Sequence, residues 1–340
     1  MVIGEATDGD LHELVSHGER ARAAAGDIQA SLRLAQDLGT LLPVPGTGRT
    51  AGLWSTLATV AAADLTAARV LEPHLDALAI LDQAGLAPLA GGRTWGVFAA
   101  EGPGEPLRAS PNRTAYRLDG RKHWCSLGAV LDRALISARV GNERQLFAVD
   151  LQAPGVSAVI GTWVARGLAS VDSGPMDFDD AAATAVGGPG WYLERPGFAW
   201  GGIGVAAVWF GGAVGVARRL RASASSRPPD QIALMHLGAV DAALHGARCT
   251  LADAAAAVDA GLVFGTAGAM ASWRVREVVS LAAEVVLRRA AHGLGPGPLA
   301  TDEDHARRVA DLELYLRQWH AERDQAALGL AVLDEDRPPW

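Results

Sequence analysis

The hydrophobic pattern of this chain changes period twice, and the order of those changes limits the folds open to it. Up to Gly91-Gly92 apolar residues recur at helical spacing. One run starts after Asp10, carries Leu11, Leu14, Val15, Ile28, Leu32 and Leu38, and ends at Gly39. Pro43-Val-Pro-Gly-Thr-Gly48 is a break. A second helix, apolar on most faces, is expected over about 51–71, and a short third after Pro73 that stops near Gly85. The runs 94–99, 115–118, 134–138, 145–149, 156–160 and 176–178 are then short and separated by turn residues, as in a small β-sandwich or barrel. Asp119-Gly120 is expected as a hairpin turn between two of them. Four long helical blocks follow, 198–224, 230–260, 267–293 and 301–333, with short connections that suit a four-helix bundle. The expected layout is an N-terminal helical domain over 1–91, a middle β-domain over 92–194, a C-terminal four-helix bundle over 195–333 and a tail over 334–340.

At 340 residues the chain exceeds the usual size of a single core, so two or three packed units are expected. Net charge is −8, from 30 basic and 38 acidic residues with no basic run, which argues against nucleic acid as a partner. The two cysteines, Cys125 and Cys249, have neither metal spacing nor a disulfide framework, and fit a reducing cytoplasm. The start shows no secretory signal. The richest apolar stretch, 200–216, is interrupted by glycines and is expected to be a buried helix rather than a membrane span. Gly201-Gly-Ile-Gly204 and Gly211-Gly-Ala-Val-Gly215 do not follow a strand, so the dinucleotide fingerprint does not apply. Small residues at this spacing let helices approach closely. Ser173-Gly174 lacks the strand–turn–helix context of a hydrolase nucleophile.

One segment carries chemistry. Gly120-Arg-Lys-His-Trp-Cys-Ser-Leu-Gly128 leads into Ala134-Leu-Ile-Ser-Ala-Arg139 and Leu146-Phe-Ala-Val-Asp150, joining a turn, a tryptophan two residues before a hydroxyl, and two strands. It resembles the "G-x-K-x-W-[IC]-[ST]-x-G" segment of the acyl-CoA dehydrogenase family. Trp95-Gly-Val-Phe-Ala-Ala-Glu101 through Arg108-Ala-Ser110 sits where that family has its "T-E-P-x-x-G-S" loop; Glu101 and Gly104 match, and Ala100 holds the threonine position. Pro154-Gly155-Val156 and the helix bearing Met235, Gly238, Asp241, Ala242 and Arg248 also resemble family motifs. Together these matches run from about Leu53 to Leu333.

The resemblance implies the same three-part fold and FAD as cofactor. Trp124 and Ser126 would contact the isoalloxazine, with Ala100 in the flavin loop. Arg227 and His292 would reach the distal half of a flavin in a neighbouring subunit, although His292-Gly-Leu-Gly295 stands where the family has glutamine and "G-G-x-G". It further implies a homodimer or homotetramer through the bundle, or pairing with a homologous subunit, and an acyl thioester or similar small organic substrate.

The family's catalytic glutamate has no counterpart. Its two locations fall on Trp319 or His320 and on Val205, none of them an acid. Acid–base candidates are therefore His320, with Arg317, Glu322 and Asp324 nearby, and Glu284, mid-helix among Ala282, Ala283 and Val285. Both also read as a solvated helix face. Cys125 reads as a packed small hydrophobe. Three functions remain open: an FAD-dependent oxidoreductase, a catalytically silent subunit paired with an active one, and a flavin-dependent monooxygenase.

Overall fold

The computed structural model describes residues 1–87, 91–113, 115–226 and 228–335. It bears out the helix–barrel–bundle order, with boundaries that shift where tertiary packing overrides local signals.

Among its described residues the N-terminal part holds four helices. α1 (Asp8–Ala23) opens on a reciprocal Thr7–Asp10 capping box, and α2 (Ile28–Leu41) on the Asp27 carboxylate bonded to Ala30 N. The single run expected to end at Gly39 is thus two helices, divided where Gly26 takes φ +80°. Gly39 lies inside α2: a Cβ there would sit 2.7 Å from Nε2 of His74, so its absence admits that ring. α3 (Thr50–Ala63) meets α4 (Leu65–Gln83) at extended Asp64, whose carboxylate caps Ala67 N. Pro73, expected to begin a helix, lies within α4. It lacks the N–H that the Arg69 carbonyl would accept, but buried faces on both sides of it carry the helix through.

Among the described residues seven strands follow: β1 (Trp95–Phe98), β2 (Arg108–Asn112), β3 (Ala115–Lys122), β4 (Arg133–Val140), β5 (Glu143–Asp150), β6 (Val156–Ala158) and β7 (Met176–Val186). The pairings β4–β2–β3–β7–β5 return to β4 and close a small barrel; β1 joins β4 in parallel and β6 joins β7. Asp119-Gly120 is not a turn. β3 runs through it with a register shift between Leu118 and Gly120, and Gly120 takes φ +117° to absorb the bulge. A tight hairpin joins β4 to β5 instead, where Val140 faces Glu143 across Gly141-Asn142.

Short α5 (Trp191–Glu194) leads into α6 (Pro196–Ser225), α7 (Gln231–Asp259) and α8 (Gly265–Leu294). The fourth block is broken into α9 (Gly297–Thr301), α10 (Glu303–Tyr315), a 3-10 turn at Leu316–Gln318, and α11 (Glu322–Leu333). Between the last two, Trp319 is extended and Ala321 has φ +46°. α6 is long and apolar enough to cross a membrane by composition, but it is the bundle's central helix and is mostly buried within it. Its Gly211 fits the close-approach reading, because a Cβ there would overlap the Ala58 carbonyl oxygen of α3. Barrel and bundle share one core in which Phe98, Leu118 and Phe147 are contiguous with Trp54, Trp209 and Phe210.

The Pro43–Gly48 segment is anchored from a distance. The Asp259 carboxylate, at the end of α7, accepts from Gly48 N (3.0 Å), Thr50 N (3.0 Å) and Thr50 Oγ1 (2.6 Å). It caps α3, whose own N-cap residue, Arg49, offers no side-chain bond. Asp259→Ala is expected to cost about 1–2 kcal/mol, the usual worth of a lost N-cap. A urea midpoint unchanged from wild type would deny the anchor.

Candidate functional site

The site begins where β3 leaves the barrel. Lys122 is buried, its Nζ donates to Ser137 Oγ at 2.9 Å, and burial brings its ammonium down to about 8. Trp124 (φ +62°) and Leu127 (φ +59°) then both take the left-handed conformation that side chains disfavour. Bonds to the opposite loop hold them there: Cys125 N donates to Gly174 O and Leu127 N to Asp172 O. The outcome is a tryptophan 54% exposed at the barrel's edge. Cys125 is buried, and desolvation pushes its thiol up to about 12, consistent with packing rather than reactivity.

The loop after β1 closes against this segment. Arg144 donates to the Ala99 carbonyl and to Ser137 Oγ, and its Nε lies 3.2 Å from Glu101. Ala100 is exposed on this loop. A Cβ on Gly102 would lie 2.5 Å from the His123 ring, so the loop needs glycine to pack beside His123-Trp124. Two sequence-distant motifs thereby form one surface.

Behind that surface lies a buried polar relay. Arg69 of α4 donates to Ser126 Oγ at 3.0 Å. Ser173 Oγ spends its only proton on Val171 O, so Ser126 is the donor in the 2.8 Å Ser126–Ser173 contact. The order Arg69→Ser126→Ser173→Val171 follows from that count. The other nitrogen of Arg69 lies 3.8 Å from Glu72, one helical turn on, and its guanidinium sits 5.5 Å from the centre of the Tyr315 ring. The Tyr315 hydroxyl donates to Glu72 Oε2 at 3.3 Å. With its side chain only 11% exposed, Glu72 is raised from 4.5 to about 7, chiefly by desolvation, with Arg69 opposing.

Arg276 of α8 completes the cluster. It donates to Gly202 O and Gln318 O, lies against the faces of Trp209 and Trp319, and is lowered to about 10 by burial. Asp76, a further turn along α4, is raised by desolvation and faces the buried Arg195 at 3.6 Å.

Glu72 and Asp76 also line a small pocket, with a cavity volume of about 60 Å³, between α2, α3, α4 and α6. Leucines, Trp54, Trp200, Pro43, Val44 and Pro45 supply most of its lining. Gly201 and Gly204 of α6 face it, and a Cβ on Gly201 would stand 2.9 Å from Asp76. These two glycines therefore open a pocket, whereas Gly211 serves helix packing.

The sequence candidates scatter around this centre. Trp124, Ser126 and Ala100 share the barrel edge. His320 is 67% exposed in the bend between the 3-10 turn and α11, not on a continuous helix, with Nδ1 3.7 Å from Asp324. Glu284 is exposed on α8 in a 3.0 Å surface pair with Arg317, so it is not a buried carboxylate. His292 is exposed near the end of α8, 6.3 Å from the His236 ring. Arg227 lies outside the described residues. Sequence reasoning missed Arg69, Glu72, Tyr315 and Arg276. One local trace existed: Arg69 and Glu72 are charges three apart in an otherwise apolar helical run.

No family model and no curated protein matches this sequence. Solved structures do match it in shape. KijD3 in complex with FMN and a dTDP-linked amino-keto sugar has a TM-score of 0.82 at 19% identity, covering 99% of this chain and 97% of its own. FMN-bound TdsC from Paenibacillus sp. A11-2 has 0.82 at 17%, covering 97% and 98%; TdsC is a dibenzothiophene monooxygenase. Butyryl-CoA dehydrogenase from Megasphaera elsdenii has 0.82 at 17%, covering 97% and 99%. The chain has the acyl-CoA dehydrogenase fold over essentially its whole length.

Proposed function

We propose that this chain, built on the acyl-CoA dehydrogenase fold, is a flavin-dependent oxidoreductase acting on a small, mainly apolar substrate. The observation that carries the reading is the continuity of the site. A strained, exposed tryptophan and a serine at the barrel edge connect through Arg69 to a buried carboxyl that lines an apolar pocket. A silent subunit would have no need of a desolvated, ionisable cluster there, which costs stability.

The residues present fit a flavin's ring system. Trp124 offers an open aromatic face for a flat ligand, and Ser126 an oxygen oriented by Arg69 and Ser173. The cofactor, when bound, supplies two-electron acceptance or, once reduced, oxygen activation. FMN is favoured over FAD: the KijD3 and TdsC structures named above hold FMN, and in the distal-half motif His292 stands in place of the glutamine and Leu294 in place of a glycine. The exposed apolar side chains Ile232, Leu234 and Met235 on α7, with Val278 and Leu281 on α8, suit self-association through the bundle.

Titration of the purified protein with FMN and with FAD, followed by flavin fluorescence, tests this. The expected result is saturable binding with FMN the tighter ligand, weakened roughly ten-fold or more in Trp124→Ala. A wild-type protein that takes up neither flavin contradicts the reading. A second reading, monooxygenation by reduced flavin, draws on the similarity to TdsC. Reduction of bound flavin by butyryl-CoA without air supports dehydrogenation. Product formed only with a flavin reductase and oxygen supports the monooxygenase.

A further inference from the structure

We propose that Glu72 exchanges a proton with the substrate, taking the acid–base part that the family's glutamate plays from other elements, and that the pocket it lines accepts a neutral reacting group. The inference rests on reading the pocket as the substrate site. Glu72 is the residue that belongs to both halves of the site: it lines the pocket, and its carboxyl meets Arg69, which in turn bonds Ser126.

The surroundings of the carboxyl suit proton exchange. Arg69 stands at 3.8 Å rather than in a tight bidentate pair, Tyr315 gives one bond of 3.3 Å, and Asp76 adds negative charge from the same helix. Arg276 of α8 contributes a more distant positive charge, itself offset by Asp324 of α11. Desolvation outweighs the two arginines, so the group rests near neutrality, where both protonation states are accessible. A carboxylate kept only as a structural ion pair would be held in its charged form. His320 and Glu284, both exposed to water, lack such an environment.

The step is a simple transfer. A C–H or heteroatom–H bond of the substrate breaks, the proton bonds to a carboxylate oxygen of Glu72, and the electron pair stays in the substrate. The two-electron oxidation it accompanies draws on the flavin of the proposed function. Leucines and tryptophans line the pocket and, among the described residues, no lysine or arginine does, so the part of the substrate that reaches Glu72 is uncharged.

Wild type, Glu72→Gln and Glu72→Asp test this by three readings. FMN affinity should agree within about three-fold in all of them, since Glu72 is not part of the flavin seat. An infrared carboxyl band titrating near pH 7 should be present in wild type and absent from Glu72→Gln. Turnover is measured with butyryl-CoA without air, or with indole plus a flavin reductase and oxygen. It should fall about 10²- to 10⁴-fold in Glu72→Gln with loss of the limb near pH 7, and Glu72→Asp should recover part of it. Turnover of Glu72→Gln within about three-fold of wild type, limb intact, overturns the proposal. So does a Glu72 band that titrates in the ordinary carboxylate range. If wild type binds no flavin, it is the function reading that fails. The Glu72 band is then followed as indole or butyryl-CoA is added to the cofactor-free protein: a shift supports the proposal, and a band unmoved by both overturns it.

Discussion

Arg69→Met is expected to destabilise the protein by about 3 kcal/mol at pH 8 and by only about 1 kcal/mol at pH 5.5. Arg69 is the nearest cation to a carboxyl whose folded-state value already stands near 7, against 4.5 for the ordinary group. A carboxyl raised on folding contributes stability that is fully present below its unfolded value and lost as pH rises through its folded value. Removing the guanidinium raises the folded value further, so the loss extends to higher pH and the gap from wild type widens with alkalinity. Below pH 6 both proteins hold Glu72 mainly protonated, and what remains is the lost bond to Ser126. Urea unfolding at the two pH values checks this. A pH-independent difference would mean that Arg69 does not set the state of Glu72. In the rate profile, the limb assigned to Glu72 should move up by more than about one pH unit.

Gly211→Val should be the most damaging single change in the helical part, at about 3 kcal/mol or more. Its Cβ would overlap the Ala58 carbonyl oxygen and stand 2.7 Å from Ala61 Cβ, where α6 crosses α3. Backbone atoms of two buried helices cannot yield as a flexible side chain would. The shift would also reach the pocket, since Leu53 and Trp54 of α3 and Gly204 of α6 line it. Gly238→Ala on α7 is the matched control, because nothing lies within 4 Å of its Cβ. There the helix-propensity gain of about 0.8–1 kcal/mol should stabilise the protein. Equal denaturation midpoints for the two variants would show that the α3–α6 approach is looser than the structure has it.

The architecture was readable because it is written in period: helical spacing, then short strands, then helical spacing again, each held over many residues. Single-residue signals misled where tertiary packing overrode them. Pro73 looks like a helix start, yet α4 continues because buried residues on both sides outweigh one missing bond. Asp119-Gly120 looks like a hairpin turn, yet barrel pairing on both edges of β3 makes it a bulge. Gly39 looks like a stop, yet its task is to admit His74.

The candidate site divides in the same way. Trp124 and Ser126 lie within three residues of each other, so a local motif reveals them. Glu72 draws its chemistry from Arg69 in α4, Tyr315 in α10 and Arg276 in α8, and its link to Ser126 passes through Arg69. No linear spacing encodes that convergence. An unmatched glutamate in the two familiar locations says only that the acid is absent there; the fold brings another to the pocket.

The most direct test of the account is a crystal structure of the protein with FMN bound. It should show the isoalloxazine lying against Trp124, with a ring atom within hydrogen-bond reach of Ser126 Oγ and the ring bordering the pocket that Glu72 lines. A flavin seated away from Trp124 and Ser126, or a site that stays empty at saturating FMN, would contradict it.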